Sequence, residues 1–210
     1  MATLWDHQPP RAALVEIARR LHARGWMPGT AGNLSVRPEG AESFWITASG
    51  HPKGQLTTDD FVRVAIADGQ VVETCNPENK PSAETSIHQV IYRQFPRARA
   101  ALHVHSVTAV IAVERHAPSP ATELALPPLE MLKGMGIGDE NPLIHLAIFE
   151  NWLDVPAIAR QIAQRFSAQP PALTALMIRR HGVTVWGDSL QQAYDRLEVV
   201  DYLCDYLARL

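Results

Sequence analysis

The sequence is poor in the features that mark several large classes of protein. It has two cysteines among 210 residues, Cys75 and Cys204, which are far apart and lie in no CxxC motif. A disulfide scaffold needs more cysteines, so we expect two reduced thiols in a cytoplasmic protein. No window approaches the roughly 18 apolar residues of a membrane span. The N-terminus lacks the basic and apolar regions of a signal peptide, so we expect a complete protein without a membrane anchor.

Positive charge is also scarce. Nineteen lysines and arginines are set against 22 acidic residues, which gives a formal net charge of -3 at pH 7. A broad basic surface for nucleic acid is therefore not expected. The G-x-G-x-x-G and P-loop patterns are missing as well, so a nucleotide is not indicated. Hydrophobic residues make up 46% and charged residues 20%, as in ordinary globular proteins, and we predict a single domain over residues 1–210.

Hydrophobic periodicity predicts a mixture of helices and strands. The predicted helices are 11–24, 82–95, 106–113, 156–166 and one that begins at Ser189. The predicted strands are 34–37, 44–47, 62–67, 70–73, 100–105, 143–148, 174–179 and 183–186. Asp68-Gly69 between two of them is a hairpin signal. The sequence therefore predicts an α/β fold, a single three-layer α/β/α domain with a mixed, largely antiparallel central sheet.

Three histidines are candidate metal ligands. His103 and His105 are alternate residues of a predicted strand, so their side chains share a face and can converge on one ion. Taken alone, this pair is equally consistent with two polar residues at a strand end. His181 follows another predicted strand and precedes a glycine, which favours a loop that faces a cleft. A catalytic zinc has three protein ligands and an open position, and these three histidines satisfy that requirement.

Two glycine-rich turns are candidates for binding an anion. The turn at 29–33 offers backbone N–H groups and the amide of Asn33, and the turn at 47–50 offers Ser49, Gly50 and the nearby cation of Lys53. Each turn alone would be an ordinary loop.

An acidic residue stands near the start of the predicted helix 82–95. Glu84 and His88 are four residues apart, so they share one face of that helix. A carboxylate in this place is a candidate proton carrier. It is equally consistent with a simple partner of the helix dipole.

The order of these motifs resembles the class II aldolase/adducin-like family. The pattern runs GTAGNLSVR, ITASG, KPSAE, HVH and RRHG, and it covers the chain from about residue 10 to the end. The resemblance implies one divalent metal per subunit, usually Zn²⁺, bound by His103, His105 and His181. It also implies a homotetramer with its sites near subunit interfaces.

The same resemblance implies a site for a substrate phosphate. The matching residues are Asn33, Ser49, Gly50 and Ser82, to which the turn chemistry adds Lys53. Ala83 stands where many members have a second serine, so one phosphate contact is missing or is made by another group.

Within the family, ITASGHPKG, PLEMLKGMG and RRHGVTVWG resemble the sugar-phosphate dehydratases. This implies a small phosphorylated keto-sugar as partner and the zinc-dependent dehydration of 5-methylthioribulose 1-phosphate in methionine salvage. Glu130, in PLEMLKGMG, matches the acid/base of those dehydratases and ranks first. Glu84 matches the acid/base of the aldolases and ranks second. Such a carboxylate would take the C3 proton, which the metal acidifies, and help the C4 hydroxyl leave as water.

Three alternatives stay open at this point. The same scaffold supports retro-aldol cleavage or 4-epimerisation of sugar phosphates, and adducin-like members are non-catalytic interaction modules. A cupin also binds metal through H-x-H, but it is all-β, and its glutamate follows within a few residues, whereas Glu114 lies nine residues on. His88 and His145 are stand-ins for a glutamate as proton carrier.

Overall fold

The computed structural model describes residue 5, residues 7–139 and residues 142–210, and a single large sheet runs through them. Its nine strands have the order β4-β3-β2-β1-β5-β9-β8-β7-β6. Among these described strands, β7 and β8 are parallel and all other neighbours are antiparallel. The mixed, largely antiparallel sheet is therefore confirmed. The strands are β1 Asn33–Val36, β2 Ser43–Thr47, β3 Phe61–Ala65, β4 Val71–Thr74, β5 Ala100–Val104, β6 Glu123–Ala125, β7 His145–Phe149, β8 Ala175–Ile178 and β9 Gly182–Gly187.

Helices cover both faces of the sheet. Successive side chains of a strand point to opposite faces. Leu102 of β5 accordingly lies in a buried cluster with residues of α1, α3 and α5, whereas Ala101 lies in a second cluster with residues of α2 and α4. The three-layer α/β/α prediction is confirmed. The helices are α1 Pro10–Ala23, α2 Thr85–Gln94, α3 Val107–His116, α4 Val155–Ala168 and α5 Leu190–Arg209.

The structure differs from the predicted elements in several places, of which two bear on the site. Helix α2 begins at Thr85 and not at Ser82, because the Ser82 carbonyl accepts hydrogen bonds from Thr85 in a turn that precedes the helix. The short strand β6 and a 3₁₀ turn at Glu130–Met135 were not predicted, since three to six residues show no clear period. The hairpin at Asp68-Gly69 is confirmed by the antiparallel pairing of β3 and β4.

Several broader expectations can be compared with the fold. Five α-helices in the described part of the chain rule out the all-β cupin alternative. Within the same residues, the two cysteines are unpaired, Cys75 at the surface and Cys204 in the core. None of the helices found there combines the length and the apolar character needed to cross a membrane.

Candidate metal centre and substrate site

Four side chains that could hold a metal ion meet at the ends of the interior strands β5 and β8. His103 and His105 lie at the end of β5, His181 lies in the turn between β8 and β9, and Glu84 directly precedes α2. Strands β5 and β9 pair with His103 opposite Thr184, so the turn before β9 meets the end of β5. Each of the four residues offers a ligand atom, and these atoms all lie within 4.8 Å of one another. The structure therefore brings together the three histidines singled out in the sequence and adds Glu84 to them.

The ring nitrogens of this group fit a divalent cation. Nδ1 of His103 is hydrogen-bonded to Oγ1 of Thr184 at 2.9 Å, which fixes the ring and turns Nε2 toward Glu84. Among the described residues, Nε2 of His103, Nε2 of His105 and Nδ1 of His181 are buried without a hydrogen-bond partner. Buried polar atoms of this kind cost free energy unless something binds them. A metal ion in the centre of the group would satisfy Nε2 of His103 and Nε2 of His105, whereas His181 turns its other ring nitrogen, Nε2, toward Glu84.

The electrostatics of the group also favour a cation. Burial lowers the pKa of His103 to about 3, although the nearby Glu84 raises it, and burial also lowers the pKa of His105. Both imidazoles are therefore neutral at pH 7, the form that binds metal. Burial raises the pKa of Glu84, but His103 and the hydrogen bonds from His181 and Asn33 outweigh this effect and hold the pKa well below its usual range. The group thus combines one carboxylate with neutral nitrogen donors.

The carboxylate is held from two sides. Oε1 of Glu84 lies 3.1 Å from Nε2 of His181, and Oε2 lies 3.2 Å from Nε2 of His103. The amide of Asn33, at the start of β1, donates from Nδ2 to Oε2 at 3.1 Å. Behind Asn33 lies a buried polar network that contains His88. The four-residue spacing of Glu84 and His88 predicts a shared helix face but not the contact of His88 with Asn33.

The predicted phosphate turns are adjacent in the structure. An isolated β-bridge joins Ala48 to Pro81, and the N–H of Ser49 donates to the carbonyl of Lys80 at 2.9 Å. These contacts bring the turn that contains Ser49 and Gly50 beside Ser82. Gly50 is exposed and has a φ of +81°, and no described atom lies within 4 Å of a Cβ added there. The hydroxyl of Ser82 accepts a hydrogen bond from the N–H of Glu84, which links this corner to the metal group.

Lys53 joins the two glycine-rich turns. Its side chain is almost fully buried, and Nζ donates to the carbonyls of Thr30 and His51, both at 2.8 Å. Burial lowers its pKa to about 8, whereas the charge of Glu84 raises it. The cation therefore holds the turns at 29–33 and 49–53 together.

Glu130 lies apart from the four clustered side chains. It begins the 3₁₀ turn Glu130–Met135, its side chain is 83% exposed, and Lys133 donates to it at 2.9 Å. The hydrogen bond from Lys133 holds its pKa below the ordinary value. His145 begins β7, which is parallel to β8, whereas His181 follows the end of β8. The two histidines therefore lie at opposite ends of these strands. Of the candidate proton carriers, the chain thus places Glu84 at the histidines and leaves Glu130 at the surface.

Local features of the sequence fix the turn that carries His181. The buried guanidinium of Arg179 donates to the carbonyls of Ala117 at 2.9 Å and Ala121 at 2.6 Å. Arg180 has the left-handed φ of 54°, and it pairs with Glu114 at 3.0 Å. Both arginines of the RRHG motif therefore shape the turn. His181, which follows them, points toward Glu84, His103 and His105.

Gly182 is required by the close approach of β9 to β5, and this gives a first prediction. A Cβ at this position would lie 2.1 Å from the carbonyl oxygen of Val104 and 3.2 Å from Cε1 of His103. Gly182→Ala must push the strands apart, so we expect a loss of about 1–3 kcal/mol or more in the free energy of unfolding and weaker metal binding. Denaturant unfolding and metal analysis measure both effects.

Gly138→Ala is the matched control for this change. Gly138 has no described atom within 4 Å of an added Cβ and no positive φ. This variant should unfold and bind metal as the parent protein does. A Gly182→Ala protein with unchanged stability and metal content would contradict the close approach.

Comparisons with known proteins identify the family of the chain. A family model described as Class II Aldolase and Adducin N-terminal domain matches residues 12–207. A protein of Microcystis aeruginosa named methylthioribulose-1-phosphate dehydratase is 55% identical over 94% of this chain and 94% of its own length. A protein of Leptospira biflexa with the same name is 41% identical over 93% of this chain and 95% of its own length. The crystal structure of YgbL from Escherichia coli is similar in fold, with a TM-score of 0.75 and 25% identity over 93% of this chain and 86% of that chain.

Proposed function

The chain belongs to the Class II Aldolase and Adducin N-terminal domain family, and from this membership we propose that it is a zinc-dependent methylthioribulose-1-phosphate dehydratase. The observation that carries the proposal is the group of three histidines and Glu84 in a chain 55% identical to a relative of that name. The reaction would remove water from 5-methylthioribulose 1-phosphate and give the 2,3-diketo-5-methylthiopentyl 1-phosphate of methionine salvage.

His103, His105 and His181 would hold the metal. Imidazole suits zinc and other first-row transition metals better than magnesium or calcium, which prefer oxygen ligands. When bound, the metal supplies a Lewis acid that polarises the substrate carbonyl. Because the three imidazole ligands are neutral, they leave the charge of the ion available for this purpose.

The remaining chemistry is proton transfer, and we assign it to two carboxylates. Dehydration must take a proton from C3 and deliver one to the hydroxyl that leaves C4. The resemblance to the dehydratases makes Glu130 the main acid/base and Glu84 the second. Glu84 is ionised and held by Asn33 at the metal group. Glu130 is exposed on the surface of its own chain. A second protein surface must therefore pack against it for Glu130 to take part in a site.

We propose that a neighbouring subunit provides this surface in a homotetramer. Helix α3 begins directly after His105, and it exposes Val107 and Ile111, which lie one turn apart on the helix. Met131, next to Glu130, is also exposed. Apolar side chains therefore lie beside the site and beside Glu130, as expected of two surfaces that pack together. Such a contact would desolvate Glu130 and raise its pKa toward neutrality.

The substrate phosphate would bind where the turns meet. Ser49, Gly50 and Ser82 offer hydroxyl and backbone donors, and Asn33 and Lys53 border them. These contacts anchor the remote end of the substrate and so position the reacting carbons. We expect the phosphorylated keto-sugar to be the only partner required, without nucleic acid or membrane. The two unpaired cysteines support a cytoplasmic location.

A second prediction tests the phosphate site. Dephosphorylated methylthioribulose should have a kcat/KM about a thousandfold or more below that of the phosphate ester, because several charge-assisted hydrogen bonds of about 1.5–3 kcal/mol each are lost. Steady-state kinetics with both compounds measures the ratio. Equal kcat/KM values would mean that these turns bind no phosphate.

A substrate panel separates the proposed reaction from its rivals. The zinc-loaded protein is incubated with methylthioribulose 1-phosphate and, in parallel, with fuculose, rhamnulose and ribulose phosphates, and the bound metal is quantified. Diketone formed from the first compound alone supports the dehydratase. Cleavage of a C–C bond or epimerisation in the others would assign the site to the aldolase reaction or to the 4-epimerase. A chain inert toward all of them would favour the interaction module.

A further inference from the structure

Four side chains form a buried chain of hydrogen bonds behind Glu84. The hydroxyl of Tyr92 lies 2.7 Å from Oγ of Ser35, which lies 2.6 Å from Nδ1 of His88. On the other side of the ring, Nε2 of His88 lies 2.5 Å from Oδ1 of Asn33. Nδ2 of Asn33 then reaches Oε2 of Glu84. This series of hydrogen bonds therefore runs from the core beneath α2 to Glu84 and the three histidines.

The carboxylate sets the direction of every bond in this chain. Ionised Glu84 only accepts hydrogen bonds, so Asn33 must turn its NH₂ group toward it and its carbonyl toward His88. His88 must therefore carry its proton on Nε2, which leaves Nδ1 as an acceptor. Ser35 must donate to Nδ1, and Tyr92 must in turn donate to Ser35. Starting from Glu84, each bond thus fixes which atom donates in the next one.

The surroundings of His88 support this single arrangement. Ser35, His88 and Tyr92 are buried, so water does not compete for their bonds. Burial lowers the pKa of His88 to about 4, although Glu84 raises it, so the ring is neutral and has one donor and one acceptor nitrogen. The other acceptor near the Ser35 hydroxyl, the carbonyl of Ala101, lies farther away at 3.4 Å.

We infer that His88 is a positioning residue of the site, which fixes the Asn33 amide and through it the orientation of Glu84. Without the Nε2 donor, the amide can turn its carbonyl toward the carboxylate, and the resulting repulsion would move Glu84 away from the histidines. The bond pattern stands on the contacts alone, whereas the consequence for turnover rests on the proposed dehydratase function.

The proton position can be measured without any activity. Nitrogen-15 NMR of histidine-labelled protein, with and without zinc, reports which ring nitrogen of His88 is protonated. His88→Gln identifies its signal. We expect the proton on Nε2 at neutral pH. A proton on Nδ1 would reverse the chain and overturn the inference, whatever reaction the protein catalyses.

The effect on turnover is tested by a double-mutant cycle. His88→Leu should lower kcat about 10- to 100-fold, as replacements of residues that orient metal-site groups do. The double variant His88→Leu/Asn33→Ala should have the kcat of Asn33→Ala alone, because His88 acts only through Asn33. His88→Gln places an N–H near the position of Nε2, and it should retain most of the wild-type kcat.

A structural role would give a different pattern. Ile91→Val, on the same helix, is expected to lower the free energy of unfolding without changing kcat, and it serves as the control for a loosened α2. Losses that multiply in the double variant would overturn the positioning role, and so would wild-type kcat in a folded His88→Leu protein. If wild-type protein fails to turn over methylthioribulose 1-phosphate, the proposed function fails, and the NMR result still decides the bond pattern.

Discussion

His181→Ala should lose its metal and its activity together. The change removes one of three nitrogen ligands, and metal affinity falls steeply when a ligand is lost from such a site. Without the ion, polarisation of the substrate carbonyl is lost, which is worth several kcal/mol, so turnover should fall about a thousandfold or more. Metal analysis of gel-filtered protein and turnover of methylthioribulose 1-phosphate give the two values.

His181 is a cleaner position for this test than the other two histidines. His103 is fully buried and hydrogen-bonded to Thr184, so its replacement would also damage the core. His181 lies in a turn, and its loss should leave the fold intact. His145→Ala is the matched control, because it removes an exposed histidine that lies at the opposite ends of the strands from His181. Full metal occupancy in His181→Ala would remove His181 from the ligand set.

The convergence of His103 and His105 can be predicted from the sequence because local geometry controls it. Alternate residues of a strand share a face, so His103 and His105 converge whatever the rest of the fold does. The position of His181 depends on the pairing of β5 with β9. The paired residues are about 80 apart in the chain, and hydrophobic periodicity does not reveal such a pairing. The order of motifs filled this gap through a family resemblance.

Contacts distant in sequence explain what local patterns missed. The turn that contains Ser49 lies beside Ser82 because Ala48 bridges to Pro81, and Lys53 links this turn to the one at 29–33 through the carbonyls of His51 and Thr30. The polar network has a sequence signature, since Asn33 and Ser35 alternate on a strand and His88 and Tyr92 are four apart on a helix. This signature becomes readable only once β1 and α2 are known to pack against each other.

Glu130→Gln is expected to lower kcat by about two to four orders of magnitude, the usual contribution of a general acid/base. The substitution keeps the shape of the side chain and removes its ability to carry a proton. Because Glu130 is 83% exposed, the variant should fold and bind zinc as the parent does. Glu84→Gln should lose less. Glu123→Gln, which changes an exposed carboxylate of β6 that is likewise paired with a cation, is the control and should retain wild-type turnover.

The surface position of Glu130 adds a sharper test of how it reaches the reaction. If a neighbouring subunit carries it to the site, mixing Glu130→Gln chains with His181→Ala chains should restore part of the activity. A mixed oligomer would pair an intact metal group from one chain with an intact Glu130 from another. Either variant alone should stay inactive. Activity that is not restored after verified subunit exchange would place Glu130 at the site of its own chain. A Glu130→Gln protein with near wild-type turnover, alongside an inactive Glu84→Gln protein, would reverse the ranking and give Glu84 the acid/base role that it has in the aldolases.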